Sequence, residues 1–190
     1  MTARPSRRLA LWCALACVLV GLPAHAHGPT PQKAEETMVI DAPPEAVWKL
    51  LGDFGAIASW HPDVKAASAT GREPGAERVL VLEKGEITDG LDEIDPAARR
   101  IAYRLSKENV EAFPVSFYTA TLTVDDAGGG RSKVEWAARL YRGDTSNFPP
   151  DELNDEAATT AMSSFFAHGL KGLKTKAESR VAGSAAPAGR

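Results

Sequence analysis

The sequence predicts an α+β fold: a curved antiparallel sheet of about six to seven strands wrapped round one long C-terminal helix, with two short helices after the first strand. Three observations predict it. Between Arg78 and Tyr141 apolar residues recur at period two in runs separated by turn signals, which is the pattern of antiparallel strands with one covered face. From Asp151 to about Lys176 the period is helical, with acid in the first turns and base in the last, matching the helix dipole. Between the first strand and the rest lie two short helical stretches bounded by prolines.

Taken in order, residues 1–26 read as a cleaved leader. Arg4, Arg7 and Arg8 form a basic start, Leu9 to Leu22 is an apolar run too short to span a bilayer, and Ala24-His25-Ala26 supplies a small-x-small cleavage site. Export with cleavage after Ala26 is expected, to the periplasm. Cys17 lies inside the apolar run rather than at its end, against a lipoprotein signal, and Ser6-Arg7-Arg8 leaves the general secretory and twin-arginine routes open. Residues 27–32 (HGPTPQ) make an extended arm, and residues 33–178 the folded domain.

Within that domain Lys33 to Asp41 is a first strand, broken by Pro43-Pro44. Glu45 to Gly52 is a short helix with Val47, Leu50 and Leu51 on one face, and Phe54 to Trp60 a second, stopped by Pro62. Strands follow at Arg78–Glu83, Glu86–Ile94, Arg100–Leu105, Val115–Val124 and Lys133–Tyr141, the last two joined across Gly128-Gly129-Gly130. The long helix puts Leu153, Ala157, Ala161, Phe165 and Leu173 on its apolar face, with Ala158, Met162, Phe166 and Leu170 alongside. Residues 179–190 are small and polar and read as a disordered tail.

Charge and residue inventory exclude several functions. Without the leader the chain keeps 19 basic residues against 25 acidic, about −6. That balance opposes nucleic-acid binding and suits either plain solubility or docking on a basic protein. Cys13 and Cys17 both leave with the leader, so the mature chain has no disulfide, thiol nucleophile or thiolate site. His27, His61 and His168 lack metal-ligand spacing, and no metal or cofactor is expected.

A sheet folded round a helix encloses a cavity, and the helix's mix of Ala, Gly and Phe suits a wall with room behind it. Candidates to line it are Trp60, His61, Asp89, Tyr103, Tyr118, Trp136, Met162 and Phe166. His61, in Ala58-Ser-Trp-His-Pro-Asp63, is open to three readings: a hydrogen-bonded corner, a ligand contact, or a catalytic base partnered by Asp63 or Asp89. Asp89 either points inward or is turned out by a bulge at Gly90. No catalytic motif is present. The polar connection from Arg142 to Asn154 reads as a functional surface loop, as a lead-in that Pro149 and Pro150 stiffen before the helix, or as both.

The element order resembles the helix-grip superfamily (SRPBCC), which includes START lipid-transfer domains, plant pathogenesis-related ligand binders and polyketide cyclases. Three stretches, HGPTPQK (His27 to Lys33), WHP (Trp60 to Pro62) and YRGDTSNFPPDELNDEA (Tyr141 to Ala157), are similar to the MxaD family of periplasmic methanol-oxidation accessory proteins. That resemblance implies a non-catalytic role, helping electrons pass from the pyrroloquinoline quinone methanol dehydrogenase to its cytochrome c. It also implies docking at the Arg142 to Asn154 connection, with His27, Arg142, Asp144, Asn147 and Phe148 as candidate contacts. Two other classes stand beside it: a periplasmic carrier of a small hydrophobic ligand, and a polyketide cyclase-like enzyme using His61 and Asp89.

Overall fold

The structure is a computed structural model that describes residues 28–185, so the expected leader and His27 lie outside the described residues. The chain runs β1 (Gln32–Ile40), α1 (Pro44–Leu51), a 3₁₀ turn (Phe54–Ser59), β2 (Ala66–Ala69), β3 (Glu77–Leu82), β4 (Gly85–Asp95), β5 (Arg100–Lys107), β6 (Val115–Gly128), β7 (Arg131–Arg142), a second 3₁₀ turn (Asp151–Leu153) and α2 (Asp155–Ala185). The seven strands form one antiparallel sheet in the order β1-β7-β6-β5-β4-β3-β2. It curves round α2, as the sequence predicts.

Local chemistry accounts for the joints. Pro44 opens α1, where its missing N–H costs nothing, and Val47, Leu50 and Leu51 turn to the core. Asp53 caps the first 3₁₀ turn by accepting from Gly55 N–H at 3.2 Å. The β6–β7 hairpin turns through Gly128, Gly129 and Gly130, all at positive φ, which side chains other than glycine seldom adopt. Along β6 and β7 every second residue is buried: Tyr118, Ala120, Leu122 and Val124 face Val134, Trp136, Ala138 and Leu140 across the sheet's inner surface.

The core lies between this inner surface and a stripe on α2 made by Ala158, Met162, Phe166, Leu170, Leu173 and Ala177. Ala161 and Phe165 sit beside the stripe, partly buried. The helix's second half is tied to the end of β1: Lys174 donates to Val39 O at 2.9 Å, and Glu178 accepts from Asp41 N–H at 2.9 Å.

Three sequence expectations are corrected here. A seventh strand, β2, joins the six that the alternation marks: its AASA sequence has no polar–apolar alternation, and it pairs only at the sheet edge with β3. The long helix starts at Asp155 rather than Asp151, because Asn154 supplies the cap and accepts from Ala157 N–H at 2.9 Å. It ends at Ala185 rather than about Lys176, so the expected tail from Ser179 is helical up to that point, and residues 186–190 lie outside the described residues. Ala177, one residue past the expected end, still packs in the core and carries the helix onward.

Candidate functional site

Trp60, His61 and Pro62 form a corner between the first 3₁₀ turn and β2, pressed against α2. His61 is 2 % exposed. Its backbone N–H donates to Ile57 O at 2.9 Å. Its Nδ1 accepts from Asp63 N–H at 3.2 Å, which leaves the proton on Nε2, and Nε2 donates to Phe165 O at 3.0 Å. The ring lies over Phe165 with centroids 3.9 Å apart and meets Trp136 edge-on at 5.9 Å. Burial lowers its pKa from 6.5 to about 4, opposed by Asp63 and the Phe165 carbonyl and reinforced by His168 and Arg78. A neutral imidazole with both nitrogens occupied has no lone pair or proton left for a substrate.

The helix opposite carries Gly169 and Gly172. A Cβ at Gly169 would come within 2.6 Å of the His61 ring and 2.7 Å of the Trp136 ring, and one at Gly172 would collide with the Trp60 carbonyl oxygen. The expectation that the small residues of α2 mark free space is corrected at these two positions, where the corner fills the space. A groove of ≈ 370 Å³ lies along the corner, between Ser59 and Pro62 on one side and Thr175, Lys176 and Ser179 on the other. Trp60 is buried, and its Nε1 finds no hydrogen-bond partner.

Asp89 and Arg78 sit deeper, on the inner face of β4 and β3. Both are buried, at 0 % and 5 % exposure, and Arg78 Nη2 lies 2.6 Å from Asp89 Oδ2. Arg78 Nε donates to the same oxygen at 3.2 Å, and Nη1 donates to Phe54 O at 2.9 Å. The Tyr118 hydroxyl donates to the other Asp89 oxygen. The guanidinium also stacks over the Phe54 ring at 4.1 Å and lies 5.1 Å from the Tyr103 ring. The Tyr103 hydroxyl oxygen accepts from Trp136 Nε1 at 2.8 Å, and Trp136 stacks on Phe166 at 4.4 Å. Burial pushes both tyrosine pKa values upward, with the Asp89 charge adding to the effect. The ladder does slip beside Asp89, between Thr88 and Asp89, yet the carboxylate points inward.

The structure therefore gathers seven of the eight expected pocket residues into two adjoining clusters, His61 with Trp60 and Trp136, and Asp89 with Tyr118, Tyr103 and, through Trp136, Phe166. Met162 is buried on the same side of α2. Sequence reading missed Arg78, which holds the second cluster together. Its signal was present: at period two, Arg78 shares a face with Leu80 and Leu82, both buried.

The expected docking segment lies at the far end of α2. Arg142 braces it, donating to Asp144 O at 2.7 Å and Ser146 O at 2.8 Å and pairing with Asp155 at 3.1 Å. Asp144 accepts from Ser146 N–H at 2.7 Å, which holds its pKa below the usual carboxylate value. Phe148 is 93 % exposed. Gly28, Arg142, Asn147 and Phe148 line a shallow groove of ≈ 360 Å³. Among the described residues no group of three His, Cys, Asp or Glu is placed to hold a metal, and no helix is long and apolar enough to cross a membrane.

A seven-stranded antiparallel sheet gripping a long C-terminal helix, with two short helices after the first strand, defines a helix-grip protein. The chain belongs to the family described as polyketide cyclase / dehydrase and lipid transport, whose profile it matches over residues 31–178. No curated protein matches it. Among solved structures it is similar to the protein XoxI from Bacillus cereus, at 26% identity and a TM-score of 0.63, covering 76% of this chain and 94% of that one. A Thermobifida fusca protein solved in solution is 32% identical, with a TM-score of 0.62 and coverage of 76% and 92%. The Zhui aromatase/cyclase from Streptomyces sp. R1128 shares the fold at 20% identity, with a TM-score of 0.65 and coverage of 80% and 96%.

Proposed function

We propose that this is a non-catalytic exported accessory protein that works by docking, and that it helps electrons pass from the pyrroloquinoline quinone methanol dehydrogenase to its cytochrome c. The observation that carries the non-catalytic part is the state of the inner polar groups. Both nitrogens of His61, both oxygens of Asp89 and the hydroxyls of Tyr103 and Tyr118 are already hydrogen-bonded to protein neighbours. A general base needs a free lone pair within reach of a substrate proton: His61 has none, and Asp89 is fully buried and paired with Arg78. The partners come from the resemblance of the three quoted stretches to the MxaD family. The braced Arg142–Asp155 segment supports a docking role, since it offers a fixed exposed surface.

The test is the rate of cytochrome c reduction by purified methanol dehydrogenase with and without the mature protein. A saturable increase supports the reading; no change with both redox partners active removes it. One observation favours carriage of a small hydrophobic ligand as a second reading. The buried Trp60 Nε1 has no acceptor, and an unpaired buried donor costs about 1–3 kcal/mol. A ligand carbonyl or hydroxyl would satisfy it, and a small molecule retained in native mass spectrometry of the purified protein would show one.

A further inference from the structure

We infer that Phe148 and the acidic loops around it form the docking surface, and that the partner surface is an apolar recess rimmed by Lys and Arg. The inference deepens the docking reading above and rests on it.

Three connections meet at this end of the molecule. The β3–β4 turn packs on the β5–β6 loop, since a Cβ at Gly85 would come within 2.6 Å of the Asn109 amide and 3.4 Å of Ala112. The β5–β6 loop packs in turn on the β7–α2 connection, because a Cβ at Gly143 would lie 3.2 Å from the Pro114 carbonyl and 2.9 Å from Leu153. The first two connections contribute Glu83, Glu86, Glu108 and Glu111, all exposed. The third contributes Asp144, Asp151, Glu152, Asp155 and Glu156. Only Lys84, Lys107 and Arg142 oppose these nine carboxylates over the three connections and the strand and helix ends beside them.

The cations that do pair there leave the excess standing. Arg142 is spent on Asp155 and two loop carbonyls, and Lys65 from outside pairs with Glu83. With Lys65 counted, the surplus over this end is about −5, against about −6 for residues 27–190, so the remaining surface is near neutral. A one-signed field of this kind steers an oppositely charged partner and fixes its orientation.

Phe148 supplies what charge alone does not. It is the most exposed large apolar side chain described, at 93 %, against 44 % for Val39 and 40 % for Phe117. The Arg142 bonds and the paired Pro149 and Pro150 hold its loop, so little freedom is lost on binding. An exposed aromatic on a braced loop that also carries Asp144, Asp151 and Glu152 is suited to serve as an interface anchor.

The experiment places the photo-crosslinker p-benzoylphenylalanine at position 148 of the full chain, in the cells that make it, with position 39 as control. The expected result is one dominant captured protein, linked at an apolar recess flanked by Lys or Arg. Its yield should fall as salt rises from about 0.05 to about 0.5 M. With that protein purified, Phe148→Ala should weaken binding about 10- to 100-fold. The triple change Asp151→Asn, Glu152→Gln, Glu156→Gln should slow association on the order of 10-fold and flatten its salt dependence.

Capture of methanol dehydrogenase or its cytochrome c supports both this surface and the methanol-oxidation reading. Capture of another exported protein at such a basic recess supports the surface and removes that reading. Capture of a second copy of this chain, a salt-insensitive link, or no more product at 148 than at 39 overturns the inference.

Discussion

His61 stays neutral in the folded chain because burial denies its charged form water, and this couples the corner to pH. The unfolded residue takes a proton near pH 6.5, the folded one only near pH 4. Between those values the unfolded chain binds more protons, so stability is full above pH 6.5 and falls as pH drops toward 4. The size is on the order of 3 kcal/mol, from about 1.4 kcal/mol per unit. Urea midpoints measured across this window should fall steeply in the wild type. In His61→Gln, which keeps a donor for Phe165 and does not titrate there, the fall should be shallower. Arg78 and Asp89 give a second prediction. Asp89→Asn or Arg78→Met alone strands a buried charge and should cost about 3–5 kcal/mol, whereas Arg78→Met with Asp89→Leu should cost less than the sum. Denaturant titration of the three variants checks it. At this scale the sequence showed which residues face inward but not their partners. Asp89 stood on the face of Ile87 and Leu91, yet its cation lies on the neighbouring strand, 11 residues away in sequence. Its hydroxyl donor, Tyr118, is 29 residues away.

At the scale of elements, α2 and the corner are cut to fit one another. Glycine inside a helix costs about 1 kcal/mol relative to alanine, so propensity alone favours Gly169→Ala and Gly172→Ala. The structure reverses the sign, because each new methyl would overlap the corner, and overpacking of this kind costs about 1–3 kcal/mol. Both variants should melt several degrees below wild type; a higher melting temperature would show that the corner does not rest on the helix. The sequence held this signal in GLKG, Gly169 to Gly172, as small residues on one helical face. It did not say whether they faced a cavity or a neighbour, because that depends on a chain segment more than 100 residues away. Regular elements were legible where alternation was clean, as in β6 and β7. β2 was not, since Ala and Ser carry almost no face preference.

At the scale of the whole molecule, the two ends of the grip have different work. Around the corner and under the sheet, the buried polar groups other than Trp60 Nε1 bond to one another or to backbone and fix the packing. At the loop end, the connection that carries Asp144, Asp151 and Glu152 also carries an exposed aromatic that contributes nothing to the core. Phe148→Ala should therefore leave thermal stability within about 0.5 kcal/mol of wild type, which separates any effect on function from unfolding. The sequence showed the acidic start of α2 but not its merger with Glu86, Glu108 and Glu111, which only the stacking of three loops creates. On the docking proposal the protein acts through this outer end and not through its interior. The most direct test is stimulation of cytochrome c reduction by methanol dehydrogenase, measured side by side for the Tyr118→Phe and Phe148→Ala proteins. Tyr118→Phe should stimulate like wild type, while Phe148→Ala should lose most of the effect. Loss in Tyr118→Phe with a folded chain, and full stimulation by Phe148→Ala, would contradict it.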